Sequence, residues 1–222
     1  MAESGLGADT GRTRALHRRA RGVPTMRKLI FCHVLAATTL AVTAHAQVLT
    51  GPALVKALQA GGNVIVMRHA SSPSEIPAKP NPDNVPPERQ LDEQGRASAT
   101  AMGEALRRLK IPIGDVLTGP AYRTRETARL ARLLNPRTVT ELGEGTGTMQ
   151  AVSKAQTEWL QKKAKEFPRG TNTVLVTHVP NISAAFPEIP ALAQGEALVY
   201  ASDGKGGARL VGRIKIEDWP GL

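Results

Sequence analysis

The chain has 222 residues, 29 Lys plus Arg, 19 Asp plus Glu and one cysteine. That length fits one domain with appendages and suffices for a sizeable core, while a single Cys excludes a disulfide framework and a Cys-based zinc site. The formal charge of +10 invites a nucleic acid or an anionic membrane, but aromatics at 3% supply few stacking platforms for bases.

Residues 1–25 are polar and Arg-rich with no apolar periodicity, and read as a leader outside the fold. Met26, Arg27 and Lys28 then precede an apolar run over 29–42, followed by Ala44-His45-Ala46. A basic start, a short apolar core and an Ala-x-Ala site predict a secretory signal peptide over 26–46. Either translation begins at Met26 or the basic region is unusually long. The run is short for a membrane span and contains Thr38 and Thr39, so no stable membrane anchor is expected after cleavage. Phe31 before Cys32 does not suit a lipidation site. Export to the periplasm or beyond is therefore expected, with 47–222 as one folded domain. Residues 1–46 hold seven Lys/Arg and two Asp/Glu, so the remainder keeps a formal +5, and a nucleic-acid role weakens further.

The body alternates strand and helix patterns. A β-branched run over 63–67 predicts a buried strand. Six prolines within 73–90 predict an extended loop. Ala97, Ala101 and Ala105 with Met102, Leu106 and Leu109 predict a helix over 91–110. A strand over 115–118, a helix over 122–134 ending before Pro136, and a short strand over 138–140 follow. Next come an amphipathic helix over 153–167 capped by Ser153, a buried strand over 173–177, and a short helix over 181–186. Residues 197–200 and 210–216 predict a terminal strand pair. The expected fold is a single three-layer α/β domain with a mostly parallel central sheet flanked by helices.

Of five histidines, only His69 and His178 lie beyond residue 46. Each directly or closely follows a strand, and open α/β sheets bind ligands outside the carboxyl ends of their strands. One such His is ordinarily structural; two in equivalent places point to a shared site. Arg68 adjoins His69, and Arg123 and Arg125 open the helix after Thr118-Gly119-Pro120. Arginine forks match phosphate oxygens, and a helix N-terminus adds amide donors. Neutral imidazole attacks phosphorus, and such a transfer requires positioning and charge neutralisation, with no metal and no cofactor.

Three motifs carry a resemblance. Val66-Met67-Arg68-His69-Ala70-Ser71-Ser72, the segment from Leu117 to Ala128 containing Arg123, Thr127 and Ala128, and Val174 to Ile182 containing Thr177-His178 and Pro180-Asn181 stand in order across about residues 62–186. Together they resemble the histidine phosphatase (phosphoglycerate mutase-like) superfamily. The resemblance implies that His69 is the phosphorylated nucleophile, that Arg68, Arg123 and His178 form the phosphate pocket, and that Ser72 makes a minor substrate contact. It also implies a carboxylic acid, one strand beyond the second motif, that protonates the leaving oxygen. Glu141 follows the strand most directly, Glu144 is the alternative, and Glu88 and Asp92 are weaker candidates. Ala70 departs from the family's usual glycine, Gly119 stands near a usual serine, and Val179 replaces a residue that is often polar.

The expected activity is hydrolysis of a phosphomonoester on a phosphorylated small molecule or phosphoprotein. The competing readings are an exported, non-catalytic anion-binding domain and a phosphomutase. An export signal argues against a mutase, whose usual substrate is cytosolic.

Overall fold

The computed structural model describes residues 48–76, 78, 83, 88–144 and 152–222. The leader and signal-peptide expectations over 1–46, and much of the proline-rich loop, lie outside these residues. Among the described residues no helix is long and apolar enough to cross a membrane.

Six strands form one sheet in the order β3-β2-β4-β1-β5-β6. They are β1 (Asn63–Arg68), β2 (Ile113–Thr118), β3 (Arg137–Thr138), β4 (Asn172–Thr177), β5 (Ala197–Ser202) and β6 (Ala208–Ile214). The first four in chain order run parallel, and β5 and β6 form an antiparallel pair at one edge. The helices are α1 (Gly51–Gln59), α2 (Glu93–Arg108), α3 (Tyr122–Leu130), α4 (Lys154–Lys163) and α5 (Val179–Ala185). This is the expected three-layer α/β architecture.

Alternation along the strands divides the core in two. Ile65, Met67, Val116, Val174, Val176 and Val199 face one side, with Leu54 and Leu58 of α1, Met102 and Leu106 of α2, and Trp219. Val64, Val66, Leu117, Leu175 and Leu198 face the other, with Leu160 of α4 and Ile182 of α5. The central strands are covered on both faces, which is why they read as unbroken apolar runs.

Three differences from the sequence expectations have local causes. Helix α1 was not expected; with nine residues and three buried side chains (Leu54, Val55 and Leu58), it shows too short a period to read. Helix α3 stops at Leu130 rather than at 134, because Arg132 turns left-handed at φ 51°. Leu133 N–H then donates to Ala128 O and Arg132 N–H to Arg129 O. Those two bonds make a Schellman motif, with arginine where glycine is usual. Helix α2 ends the same way at Lys110, φ 53°, with Ile111 N–H on Leu106 O.

Candidate active site

Strand register builds the site. β1 and β4 are adjacent and parallel, with Arg68 paired to Thr177. The next residue on each chain is therefore a histidine, and the two emerge side by side. His69 N–H donates to Thr177 O (3.0 Å), and His69 O accepts from Gly195 N–H (2.8 Å), so the backbone is fixed from both sides. Gly195 sits at φ +75°, in the turn that leads into β5, and a Cβ there would strike Ile216. The two imidazoles lie 5.3 Å apart, edge to face at 62°, and both rings are buried.

Arg123, in the first turn of α3, joins them. It is 4% exposed. Its Nε donates to His69 Nε2 at 3.3 Å, and its Nη2 lies 3.2 Å from His178 Nδ1. Thr127, one turn along the helix, fixes this placement. Its hydroxyl donates to Arg123 O (2.7 Å) and accepts from Ala70 N–H (3.1 Å), tying α3 to the residue after His69. Ala70 is fully buried and is not among the residues with positive φ, so its methyl group is accommodated where the family has glycine.

The tautomer of His69 follows from its partners. Nδ1 is 2.7 Å from Ala70 O, which can only accept, so Nδ1 carries the proton. Nε2 faces a guanidinium N–H, which can only donate, so Nε2 presents its lone pair. Burial, with smaller contributions from the neighbouring His178, Arg123 and Arg68, pushes the His69 pKa down to about 3, against an opposing hydrogen bond to Ala70. His69 is thus neutral and nucleophilic at any ordinary pH. Burial also lowers the His178 pKa, opposed by Glu144.

Arg68 is half-buried and donates from Nη1 to Leu192 O at 2.8 Å. Its Nε and the Nε2 of His178 are buried without a hydrogen-bond partner. Buried polar atoms left unpaired are costly, and a pair of them at one site marks room for a polar ligand.

Glu144 occupies the pocket. Its Oε2 is 2.5 Å from Arg123 Nη2 and its Oε1 is 3.1 Å from His178 Nδ1. Hydrogen bonds from His178 and Arg123 hold the carboxyl well below the usual carboxylate range, overcoming partial burial. The loop that carries it is pinned by the residues around His178. Thr177 Oγ1 donates to Leu142 O (2.8 Å), and Asn181 Nδ2 and Gln156 Nε2 donate to Gly143 O at 3.0 and 2.9 Å. Glu141, the first choice from sequence, takes a different place: its carboxylate accepts from the Thr140 hydroxyl at 3.2 Å. The structure does not bring it to either histidine. Glu88 accepts Tyr122 N–H at the start of α3 (2.9 Å), and Asp92 caps α2 at Gly95 N–H (2.7 Å), so both weaker candidates serve as helix caps.

Ser72 is buried, but its hydroxyl proton goes to Gln90 O at 2.7 Å. Only its lone pairs remain, and these repel a phosphate oxyanion, so the hydroxyl clamps the loop instead of donating to substrate. Gly119 also has a structural reason. A Cβ there would collide with Leu142 O, the carbonyl that Thr177 holds. Gly119→Ala is expected to cost about 1–3 kcal/mol in urea denaturation, and a variant as stable as the parent would show that the Glu144 loop has slack.

Sequence reasoning missed Arg89, at the end of the proline-rich loop. Its Nε donates to Pro73 O (2.6 Å) and its Nη2 to Ser72 O (3.1 Å). It lies close enough to Arg68 and His178 for its charge to help lower the pKa of each. Nothing in the sequence marks the loop as folding back at that residue.

The family model for the histidine phosphatase superfamily (branch 1) matches residues 64–167. By sequence, no curated protein matches the chain. Among solved structures, the protein histidine phosphatase SixA complexed with tungstate is similar at 17% identity and TM-score 0.51, covering 70% of this chain and 98% of its own. A mycobacterial glucosyl-3-phosphoglycerate phosphatase complexed with VO3 is similar at 16% identity and TM-score 0.48, covering 67% and 96%. Phosphoserine phosphatase from Entamoeba histolytica, in complex with 3-phosphoglyceric acid, is similar at 12% identity and TM-score 0.48, covering 68% and 95%. Over residues 64–167 the chain matches the histidine phosphatase superfamily, and it shares the fold of the SixA structure. That superfamily includes both phosphatases and mutases.

Proposed function

We propose that the protein is an exported, metal-independent phosphomonoesterase acting through a phosphohistidine on His69. The observation that carries this reading is the Nε2 lone pair of His69, turned to Arg123 in a pocket where Arg68 Nε and His178 Nε2 are buried without hydrogen-bond partners. Nε2 attacks phosphorus and the bond to the leaving oxygen breaks. The phosphoryl oxygens spread their charge over Arg68, Arg123 and His178. Water then attacks the phosphohistidine, releasing inorganic phosphate and freeing Nε2.

Glu144 is the acid in this scheme. Its carboxylate takes up donors that a phosphate needs, and hydrogen bonds from His178 and Arg123 keep it ionised. An incoming dianion takes over those donors and places negative charge next to the carboxyl. The pKa of Glu144 then rises, because its neighbour has changed sign. It delivers its proton to the leaving oxygen and recovers one from the attacking water.

The test is release of p-nitrophenol from p-nitrophenyl phosphate by the purified protein, with EDTA and vanadate arms. Turnover is expected to survive EDTA and to be inhibited by vanadate; loss on chelation would overturn the metal-free route. Since His69 protonates only near pH 3, kcat/KM has no acid limb from this group above about pH 4. For an alkyl phosphate, whose leaving group needs a proton, Glu144→Gln is expected to lower kcat by about 10²-fold. Glu141→Gln is expected to lie within a factor of two of the parent. The reverse ranking would transfer the acid role to Glu141.

A further inference from the structure

The phosphoryl pocket is complete without Arg89. Two histidines, Arg68 and Arg123 surround the phosphorus position, yet a third guanidinium stands nearby. Its position is built, since Nε and Nη2 are fixed on the carbonyls of Pro73 and Ser72. Gln194 Nε2 donates to the same Ser72 carbonyl at 2.9 Å. Leu192, two residues before Gln194, supplies the carbonyl that holds Arg68. Arg68 and Arg89 are therefore anchored to one continuous rim. Arg89 has no carboxylate within ion-pair distance among the described residues, and three of its five N–H groups are left over from the two bonds that hold it.

A structural clamp for two carbonyls needs donors and no charge. Placing a partly buried cation close to Arg68 and Arg123 costs repulsion, visible in the lowered pKa of both Arg68 and Arg89, where it adds to burial. An anionic partner that arrives with the substrate would offset that cost. Among the described residues, the carboxylate held by the pocket is Glu144, on Arg123 and His178. When a phosphoryl dianion displaces it, three arginines face two negative charges and one positive charge remains. In-line attack by His69 Nε2 sends the leaving group away from the histidine.

We infer that Arg89 forms a leaving-group subsite selecting phosphomonoesters whose alcohol carries a second anionic group near the phosphate. This inference rests on the phosphomonoesterase reading and adds a substrate class to it. The second group is a carboxylate or another phosphate; both take the same guanidinium fork.

The test compares ethyl phosphate, phosphoglycolate and ethane-1,2-diyl bisphosphate, measuring released inorganic phosphate. Wild type is expected to favour phosphoglycolate, the bisphosphate, or both over ethyl phosphate by about tenfold or more in kcat/KM. Arg89→Gln should shrink that ratio to near one, and Arg89→Lys should restore part of it. A loosened loop would depress all three substrates together and leave the ratio standing, a result that would overturn the subsite. Equal rates on all three in wild type would overturn it too. The same ligands titrated calorimetrically into His69→Ala, with and without Arg89→Gln, separate the two claims. Selective binding that depends on Arg89, without turnover by wild type, would uphold the subsite and reject the phosphatase. Turnover without selectivity would do the opposite.

Discussion

His69→Ala is expected to abolish steady-state hydrolysis of p-nitrophenyl phosphate, a fall of at least about 10⁴-fold in kcat. Among the described residues, no other group offers an unprotonated nitrogen or a thiolate in the same place. Trapping with a labelled substrate at acid quench should find no phosphoenzyme. Turnover near the parental rate would remove His69 as nucleophile. The variant also carries a fold-level signature that does not depend on activity. In the native state the His69 pKa is about 3, against 6.5 for a free imidazole. Below pH 6.5 the unfolded chain binds a proton that the native chain refuses, so stability falls as the pH drops from 6.5 toward 3. At pH 5 this amounts to about 2 kcal/mol for the one residue. His69→Ala is therefore expected to lose less stability between pH 7 and pH 5 than the parent, whatever it loses at pH 7 from the missing ring. Urea midpoints at the two pH values check this, and equal pH sensitivity would mean that the native imidazole titrates normally.

How far the sequence disclosed this site depends on which part lies on a strand end. Arg68, His69 and His178 were legible because β1 and β4 are unbroken apolar runs and each histidine is fixed by its distance from one of them. Register alone then brings the rings together, since Arg68 pairs with Thr177. Arg123 was legible through the motif shared with Thr127, although what Thr127 does, bonding both Arg123 O and Ala70 N–H, required the fold. The choice between Glu141 and Glu144 was not legible. Both follow β3 within a few residues, and the decision is made by Thr177, Asn181 and Gln156, which hold carbonyls of the Glu144 loop from distant parts of the chain. Arg89 was hidden for the same reason, as its bonds to Ser72 and Pro73 close a loop whose composition says only that it is extended. The ends of α2 and α3 were misplaced because Lys110 and Arg132 adopt a backbone conformation that sequence rules assign to glycine.

Arg123→Gln is expected to lower kcat/KM by about 10³-fold, and Arg123→Lys by roughly 10²-fold, because a lysine keeps the charge but not the fork. The fork matters here because Nε and Nη2 address different groups, His69 Nε2 and the His178–Glu144 pair. One ammonium cannot span both. Removing the charge changes three groups with known signs. The positive charge of Arg123 lowers both imidazole pKa values, so each is expected to rise in the Gln variant, with burial still holding His69 below its ordinary value. Glu144 loses one of its two hydrogen-bond donors, so its carboxyl rises as well. A rate loss accompanied by upward shifts of both histidines in an NMR titration would fit an arginine that stabilises transferred negative charge and depresses its neighbours. The same rate loss with unmoved histidines would mean that Arg123 acts on the loop geometry, and that the charge needed at the transition state comes from Arg68 and His178 alone.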